Sequence, residues 1–307
     1  MKRYILILGF FASSACGPFH LLQGQTLSPR VIATAGNSFQ NANIRLDWTL
    51  GELCTHTYMT GNTIITEGFH QPVVLNLRID LTAFLQGPWS GSGMSTGINP
   101  ILPLNQPFYP TLPYFGNASP KWYYNGGESV ASIPNSNVVD WVLVELRDAT
   151  SASTATNATV KARKAAFILN NGHIVDTEGS SMLNFPVTIS NNLFVAIYHR
   201  NHLGILSANP LINSGGIYSY NFSTSVSQVF GGINGHVQLS AGTWGMKSGD
   251  GNADGVVTDN DKINVWALQA GIPGYLSSDY SLNGQTDNND KLMFWLTNKG
   301  STSQIPE

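Results

Sequence analysis

Ile44, Leu46, Trp48 and Leu50 alternate with Arg45, Asp47 and Thr49, the two-residue period of a strand with one buried face. Gly61-Asn62 separates this region from Thr63-Ile64-Ile65-Thr66 and predicts a hairpin. Pairing should stop at Pro72, in the run Gly68-Phe69-His70-Gln71-Pro72. In the next alternating run Leu77, Ile79, Leu81 and Ala83 share a face. Stronger strands are predicted over 138–146, over 165–169 with 174–175 beyond a Gly172 turn, and over 193–198. Gly215-Gly216 and Gly231-Gly232 punctuate further short strands, and the Ala/Thr/Ser-rich stretch 149–159 reads as a connector with a short helix around Thr159–Lys164. Helical character is otherwise confined to 262–269 and 291–298, each apolar on one side through Ile263 and Trp266, or Leu292 and Trp295. The pattern predicts a mainly β chain: a β-sandwich body and a small C-terminal helical module.

Between Gly87 and Gly127 the alternation gives way to Pro, Gly and aromatic residues. This stretch reads as long loops pinned by Trp89, Phe108, Tyr109, Trp122 and Tyr123. The same rings, from Trp89 to Tyr124, could instead form a platform on which sugar faces stack.

The N-terminus changes the setting. Lys2 and Arg3 precede an apolar run, Tyr4 to Ala15, too short to span a membrane, so an export signal is expected. Cleavage is placed near Gly24–Gln25, with Ala12–Ala15 as the alternative, and Cys16 is a weak lipidation candidate. No later segment has the ~20 apolar residues of a transmembrane helix, and a secreted or cell-surface protein is expected. After cleavage only Cys54 remains, so no intramolecular disulfide can form; it reads as a small buried apolar residue. The expected organisation is a signal peptide over 1–24, an N-terminal hairpin module over 25–75, the sandwich over 76–247 and the helical module over 248–307.

Charge sharpens the division. Residues 25–247 carry ten acidic and ten basic side chains, whereas 248–307 carry eight acidic and three basic. A neutral body lacks the basic face that nucleic acid requires. A concentrated acidic tail calls for cations.

Two segments of that tail repeat at an offset of 29 residues. One runs from Asp250 through Asn252, Asp254, Gly255, Val256 and Thr258 to Asp261, and the other from Asp279 through Ser281, Asn283, Gly284, Gln285 and Asp287 to Asp290. Both have Asp at position 1, Gly at 6, Asn at 11, Asp at 12, Lys at 13 and Trp at 17 (Trp266 and Trp295). Calcium takes six to eight oxygens at about 2.3–2.6 Å. Side chains at 1, 3 and 5 can supply some if the chain turns sharply at 6, which glycine permits. Position 7, Val256 or Gln285, would give its carbonyl. Asp261 or Asp290 would give a carboxylate from the first helical turn, where negative charge is favoured. Thr258 and Asp287 would cap the helices or hold a metal-bound water. Two calcium ions are therefore expected, with weaker binding in the second loop because Ser281 and Asn283 are neutral.

Asp at position 12 makes residues 250–298 resemble type I dockerin repeats, with a longer separation and without an evident recognition pair on the helices. A longer resemblance is carried by Trp48-Thr49-Leu50-Gly51-Glu52, by Glu67 to Pro72, by Asn137 to Asp148, by His199-Arg200-Asn201-His202-Leu203 and by the closing Gly300-Ser301 to Gln304-Ile305-Pro306-Glu307. Through these strings the chain is similar to exported haemagglutinin-like, dockerin-repeat proteins of Gram-negative bacteria. The resemblance implies export and surface deployment, not a reaction.

Other clusters carry candidate chemistry. His199 and His202 could hold zinc with His173, His236, Asp176 or Glu178 as a third ligand. Glu145 and Arg147 share the parity of Trp141 and Leu143 and suggest a partly buried ion pair. With Asp140 and Asp148 they also offer carboxylates for glycoside hydrolysis, which needs two about 5–9.5 Å apart. There is no Gly-x-Ser-x-Gly, P-loop or Cys-x-x-Cys motif. The function expected is non-catalytic: calcium-ordered adhesion or extracellular assembly, with a protein partner or self-association through the C-terminal module. A carbohydrate-binding or glycan-active module is the alternative, and a fibre subunit a third reading.

Overall fold

A computed structural model describes residues 76–109, 121–122 and 124–307, together with the backbone of four earlier strands. The expected signal segment, Cys16, Cys54, the Gly68–Pro72 stop and Tyr123 lie outside the described residues. The chain divides into two compact units, Met1–Val73 and Val74–Glu307. In the first, β1 (Ala35–Gln40) pairs antiparallel with β2 (Arg45–Leu50), and β3 (Thr57–Thr60) with β4 (Thr63–Thr66). Thr60 faces Thr63 across Gly61-Asn62, the hairpin expected from the sequence.

The second unit is built on β5 (Leu77–Thr82), β6 (Val138–Ala149), β7 (Val160–Leu169), β8 (His173–Val175), β9 (Leu183–Phe185), β10 (Asn192–Tyr198), β11 (Ile205–Leu206), β12 (Ile212–Ser214) and β13 (Ile217–Asn221). They form one sheet in the order β11-β10-β6-β7-β8-β5-β13-β12, with β9 also on β5. The three-residue β8 pairs with both β7 and β5, so it joins two halves that curl around a common core. Ile79, Leu81, Trp141, Phe167, Phe194 and Phe222 fill that core and are essentially inaccessible. A separate hairpin, β14 (His236–Ser240) with β15 (Thr243–Met246), follows. The molecule is mainly β, as the alternation predicts.

One expectation is corrected. Thr159–Lys164 is not a helix: a single 3-10 turn, Asn157–Thr159, leads into β7. Arg163 there stands opposite Glu145 of β6 and pairs with it, so a cross-strand ion pair outweighs local helical preference. The described rings of the 87–127 stretch pin its loops, as expected, and the alternative of an exposed platform is set aside. Phe108 and Trp122 are buried and meet edge-on at 5.0 Å, and Trp89 packs edge-on against Phe84 at 4.9 Å. They anchor loops to the core.

All twelve residues of β6 are buried, on both faces. With both faces covered, its charged residues must be satisfied internally. Glu145 and Arg147 lie 2.6 Å apart, both fully inaccessible, so the expected pair is buried outright. Arg147 also donates to Ala155 O, Pro306 O (2.7 Å), Asn157 Oδ1 and Tyr198 Oη (both 3.0 Å). The C-terminal segment is thereby held across the sheet.

Two short helical runs close the chain. We label α1 the run Asp261–Trp266, wound as a π-helix, continued by α-helical Ala267–Gln269, and α2 the run Asp290–Trp295 continued by Leu296–Asn298. Each follows one of the repeated loops. Their inward positions are Val265 and Trp295, while Ile263 and Leu292 remain 56% and 50% exposed. The expected apolar side therefore includes an uncovered strip.

Candidate metal centre

The two loops have the same backbone. Position 4 is left-handed in both, at Ala253 (φ 55°) and Leu282 (φ 57°), and position 6 in both, at Gly255 and Gly284 (each φ 84°). Glycine takes that conformation without steric cost. For Ala253 and Leu282 it is strained, and their burial in the core at 3% and 0% exposure compensates.

The hydrogen bonds also repeat, position for position. Gly255 N donates to Asp250 Oδ2 at 3.0 Å, and Gly284 N to Asp279 Oδ2 at 2.8 Å. Asn252 N donates to Asp261 Oδ1 at 3.2 Å, and Ser281 N to Asp290 Oδ1 at 2.8 Å. Thr258 N and Asp287 N donate to the second oxygens of Asp261 (2.6 Å) and Asp290 (2.8 Å). In return Thr258 Oγ1 accepts from Asn260 N, and Asp287 Oδ1 from Asn289 N. This is reciprocal capping of a helix start; Thr258 and Asp287 are used as caps. Val256 N and Gln285 N donate to Asp254 Oδ1 and Asn283 Oδ1 at position 5. At position 3, Asn252 Nδ2 reaches Asp254 Oδ2 at 2.8 Å and Ser281 Oγ reaches Asp279 Oδ1 at 3.2 Å.

Each loop thus draws its first, third, fifth and twelfth residues together. Asp250, Asp261, Asp279 and Asp290 are at most 2% exposed, and none forms an ion pair among the described residues. Burial raises Asp250 well above the usual carboxylate range, and the nearby Asp261 and Asp254 raise it further. Burial also raises Asp261 and Asp290, each to about 6. Asp279 is raised by burial as well, with Arg200 opposing the shift. A divalent cation between carboxylates pushed this way would favour their ionised form. Asp250 Oδ1, moreover, is buried with no hydrogen-bond partner, which is costly unless something fills the place. The donor set, all oxygen and net anionic, fits a hard divalent ion. Among the described residues no three His, Cys, Asp or Glu side chains group to hold a metal unaided, so Asn252, Ser281, Asn283 and the carbonyls of Val256 and Gln285 would have to complete the shells.

The loops are also cross-linked. Trp295 Nε1 donates to Thr258 O at 2.6 Å, and Trp266 Nε1 to Asp287 O at 2.8 Å. Lys262 lies over the Trp295 ring at 4.9 Å and Lys291 over Trp266 at 4.1 Å. Each helix therefore braces the opposite loop. The chain after each helix does the same: Gly300 N and Gly271 N bond the position-8 carbonyls of Val257 and Thr286, both at 2.8 Å and 29 residues apart. Position 2 breaks the equivalence. Tyr280 is fully buried, with its hydroxyl 3.2 Å from Asp261 O, and Gly251 leaves room for it.

The His199–His202 segment has a different task from the zinc site weighed above. Asp140 Oδ2 contacts Arg200 Nε at 3.0 Å and His199 Nε2 at 3.2 Å, and its Oδ1 accepts from Tyr275 Oη and Trp141 N, both at 2.7 Å. His202 Nε2 accepts from Gly87 N, while its Nδ1 meets His199 Nδ1 at 3.0 Å. Burial lowers both imidazoles below their ordinary value. Arg200 Nη1 donates to Leu276 O, and Asn201 Nδ2 to Asp279 O at 2.7 Å. These residues clamp the second loop to the sheet, and Asp140 and Glu145 are consumed in separate ion pairs. Asn201 and Arg200 were missed by the sequence reading because their partners are backbone carbonyls about 80 residues away, which no motif records.

No family model matches the chain, and no curated protein matches it. One solved structure shows a partial likeness, a chain of an N-terminal interface mutant of the type II cohesin–X-dockerin complex from Acetivibrio cellulolyticus. The match has 16% identity and a TM-score of 0.31, over 53% of this chain and 82% of that one.

Proposed function

We propose that this is a secreted or cell-surface, non-catalytic protein of adhesion or extracellular assembly whose C-terminal module is ordered by two calcium ions. One observation carries the reading. Two loops repeat the same turn and the same carboxylate network, with buried acids that form no ion pair among the described residues and one buried oxygen at Asp250 without a hydrogen-bond partner. Calcium bound there neutralises the acids, fixes the starts of α1 and α2, and through Trp266 and Trp295 braces both loops at once. The haemagglutinin-like and dockerin-repeat resemblance agrees with this role, and among the described residues no helix is long and apolar enough to cross a membrane.

The face that meets a protein partner is the groove between α1 and α2. Ile263, Leu292 and Leu296 are at least half exposed there, beside Lys262 and Lys291. An apolar ridge edged by acidic residues complements it. Asp140 and Glu145, each inaccessible and held in ion pairs, are not placed to act as the carboxylate pair of a glycoside hydrolase. Thermal melting in calcium and in EDTA tests the reading. Saturation at about 100 times Kd adds about 2.7 kcal/mol per site, about 5 kcal/mol for two, so Tm should rise by about 10–20 °C for a unit of this size. Superimposed melting curves would refute it.

A further inference from the structure

A second site lies away from the loops, on the outer surface of the sheet half containing β5. Strand pairing sets Asp80 beside Ser219 and Ser219 beside Ile212, so these three stand in a row across β5, β13 and β12. They floor an open cleft of about 550 Å³ whose rim carries Asn209 and Gln228. That volume falls within the range of small-ligand sites, about 300–1,000 Å³.

The lining specifies the chemistry. Asp80 Oδ1 lies 3.6 Å from His173 Nδ1, and both side chains are partly exposed, so the carboxylate faces the cleft and solvent. The Asn209 carboxamide lies against Tyr220 Oη, which also accepts from Asn209 N at 3.3 Å, and this contact fixes it at the rim beside the Gln228 carboxamide. A carboxylate accepts from paired hydroxyls, and each carboxamide offers a donor and an acceptor together. Ile212, 70% exposed, adds an apolar surface for the C–H face of a ring. No Lys or Arg lines the cleft, so an anionic ligand gains no counter-charge, and the polar floor does not suit a purely apolar one. We propose that this cleft binds a neutral oligosaccharide, with Asp80, Asn209 and Gln228 reading its hydroxyls. The site is independent of the calcium reading, since none of these side chains contacts either loop.

The full chain should be applied to an array of neutral glucose-, mannose-, galactose- and xylose-based oligosaccharides, with sialylated and sulfated counterparts and unglycosylated peptides as competing classes. Neutral glycans should be retained, and calorimetry on the best of them should show at least a tenfold loss of affinity in Asp80→Ala and in Asn209→Ala. Asn209 is exposed, so its variant tests the site even if Asp80→Ala folds poorly. A blank array, retention of anionic glycans alone, capture of peptides by the free edge of β12 instead of glycans, or unchanged affinity in Asn209→Ala would overturn the proposal.

Discussion

At the scale of single residues, the sharpest constraint is Gly251. A Cβ there would lie 2.5 Å from Tyr280 Oη and 3.1 Å from Val265 Cγ1, and Tyr280 has no free space to move into. Gly251→Ala should cost about 1–3 kcal/mol by overpacking, read from denaturant midpoints. Tyr280→Phe removes the nearer atom, so the double variant should be less destabilised than the sum of the singles; strict additivity would place the strain elsewhere. His236 sets an acid limit. It is fully buried, neither ring nitrogen has a partner among the described residues, and burial lowers it to about 4. The unfolded imidazole binds its proton near 6.5, so between pH 6.5 and 4 the unfolded chain holds more protons and stability falls with pH. At about 1.4 kcal/mol for each pH unit crossed, His236 contributes about 3 kcal/mol to that loss. His236→Phe should flatten the decline of Tm with acid, leaving the part due to His199 and His202. An unchanged slope would show that His236 does not titrate on unfolding.

At the scale of elements, the working piece is one loop with the helix of the other. Because Trp295 donates to Thr258 O, three residues before Asp261, Trp295→Phe should weaken calcium at the first loop although the residue follows the second. Loss of that buried bond is worth about 1–3 kcal/mol, on the order of tenfold in affinity, measurable by titration in an Asp279→Asn background. Equal affinity would mean the exchange of tryptophans is only packing. Much of this element was legible: the 29-residue offset, glycines at position 6, terminal carboxylates and paired tryptophans all stand in the chain. The tryptophan partners were not, because indole bonds to carbonyls leave no residue-type signal. Nor were left-handed Ala253 and Leu282, where tertiary burial overrides a local preference. The strands were legible wherever alternation was clean, as in Leu77, Ile79, Leu81 and Ala83. Alternation failed on β6, where both faces are covered and Asp140, Glu145 and Arg147 sit inside as ion-pair partners.

At the scale of the whole unit, the acidic tail and the neutral body meet through many specific bonds and through Ala253 and Leu282, which enter the core. Asn201 to Asp279 O and Arg200 to Leu276 O join the second loop to the sheet, and Asn298 Nδ2 to Ser248 O (2.7 Å) and Gln86 Oε1 (2.6 Å) joins the end of α2. Calcium should therefore stabilise residues 74–307 as one cooperative body. Asn201→Ala, which leaves Asp279 O buried without its donor, should separate a calcium-dependent transition from a calcium-independent one in calorimetric melting; a single transition in the variant would argue against the clamp. The direct measurement is isothermal titration of the calcium-stripped chain. Two calcium ions per chain should bind with measurable heat, one should remain after Asp250→Ala, and the remaining one should be lost when Asp279→Ala is added. No heat at all, or a stoichiometry indifferent to both substitutions, would contradict the account.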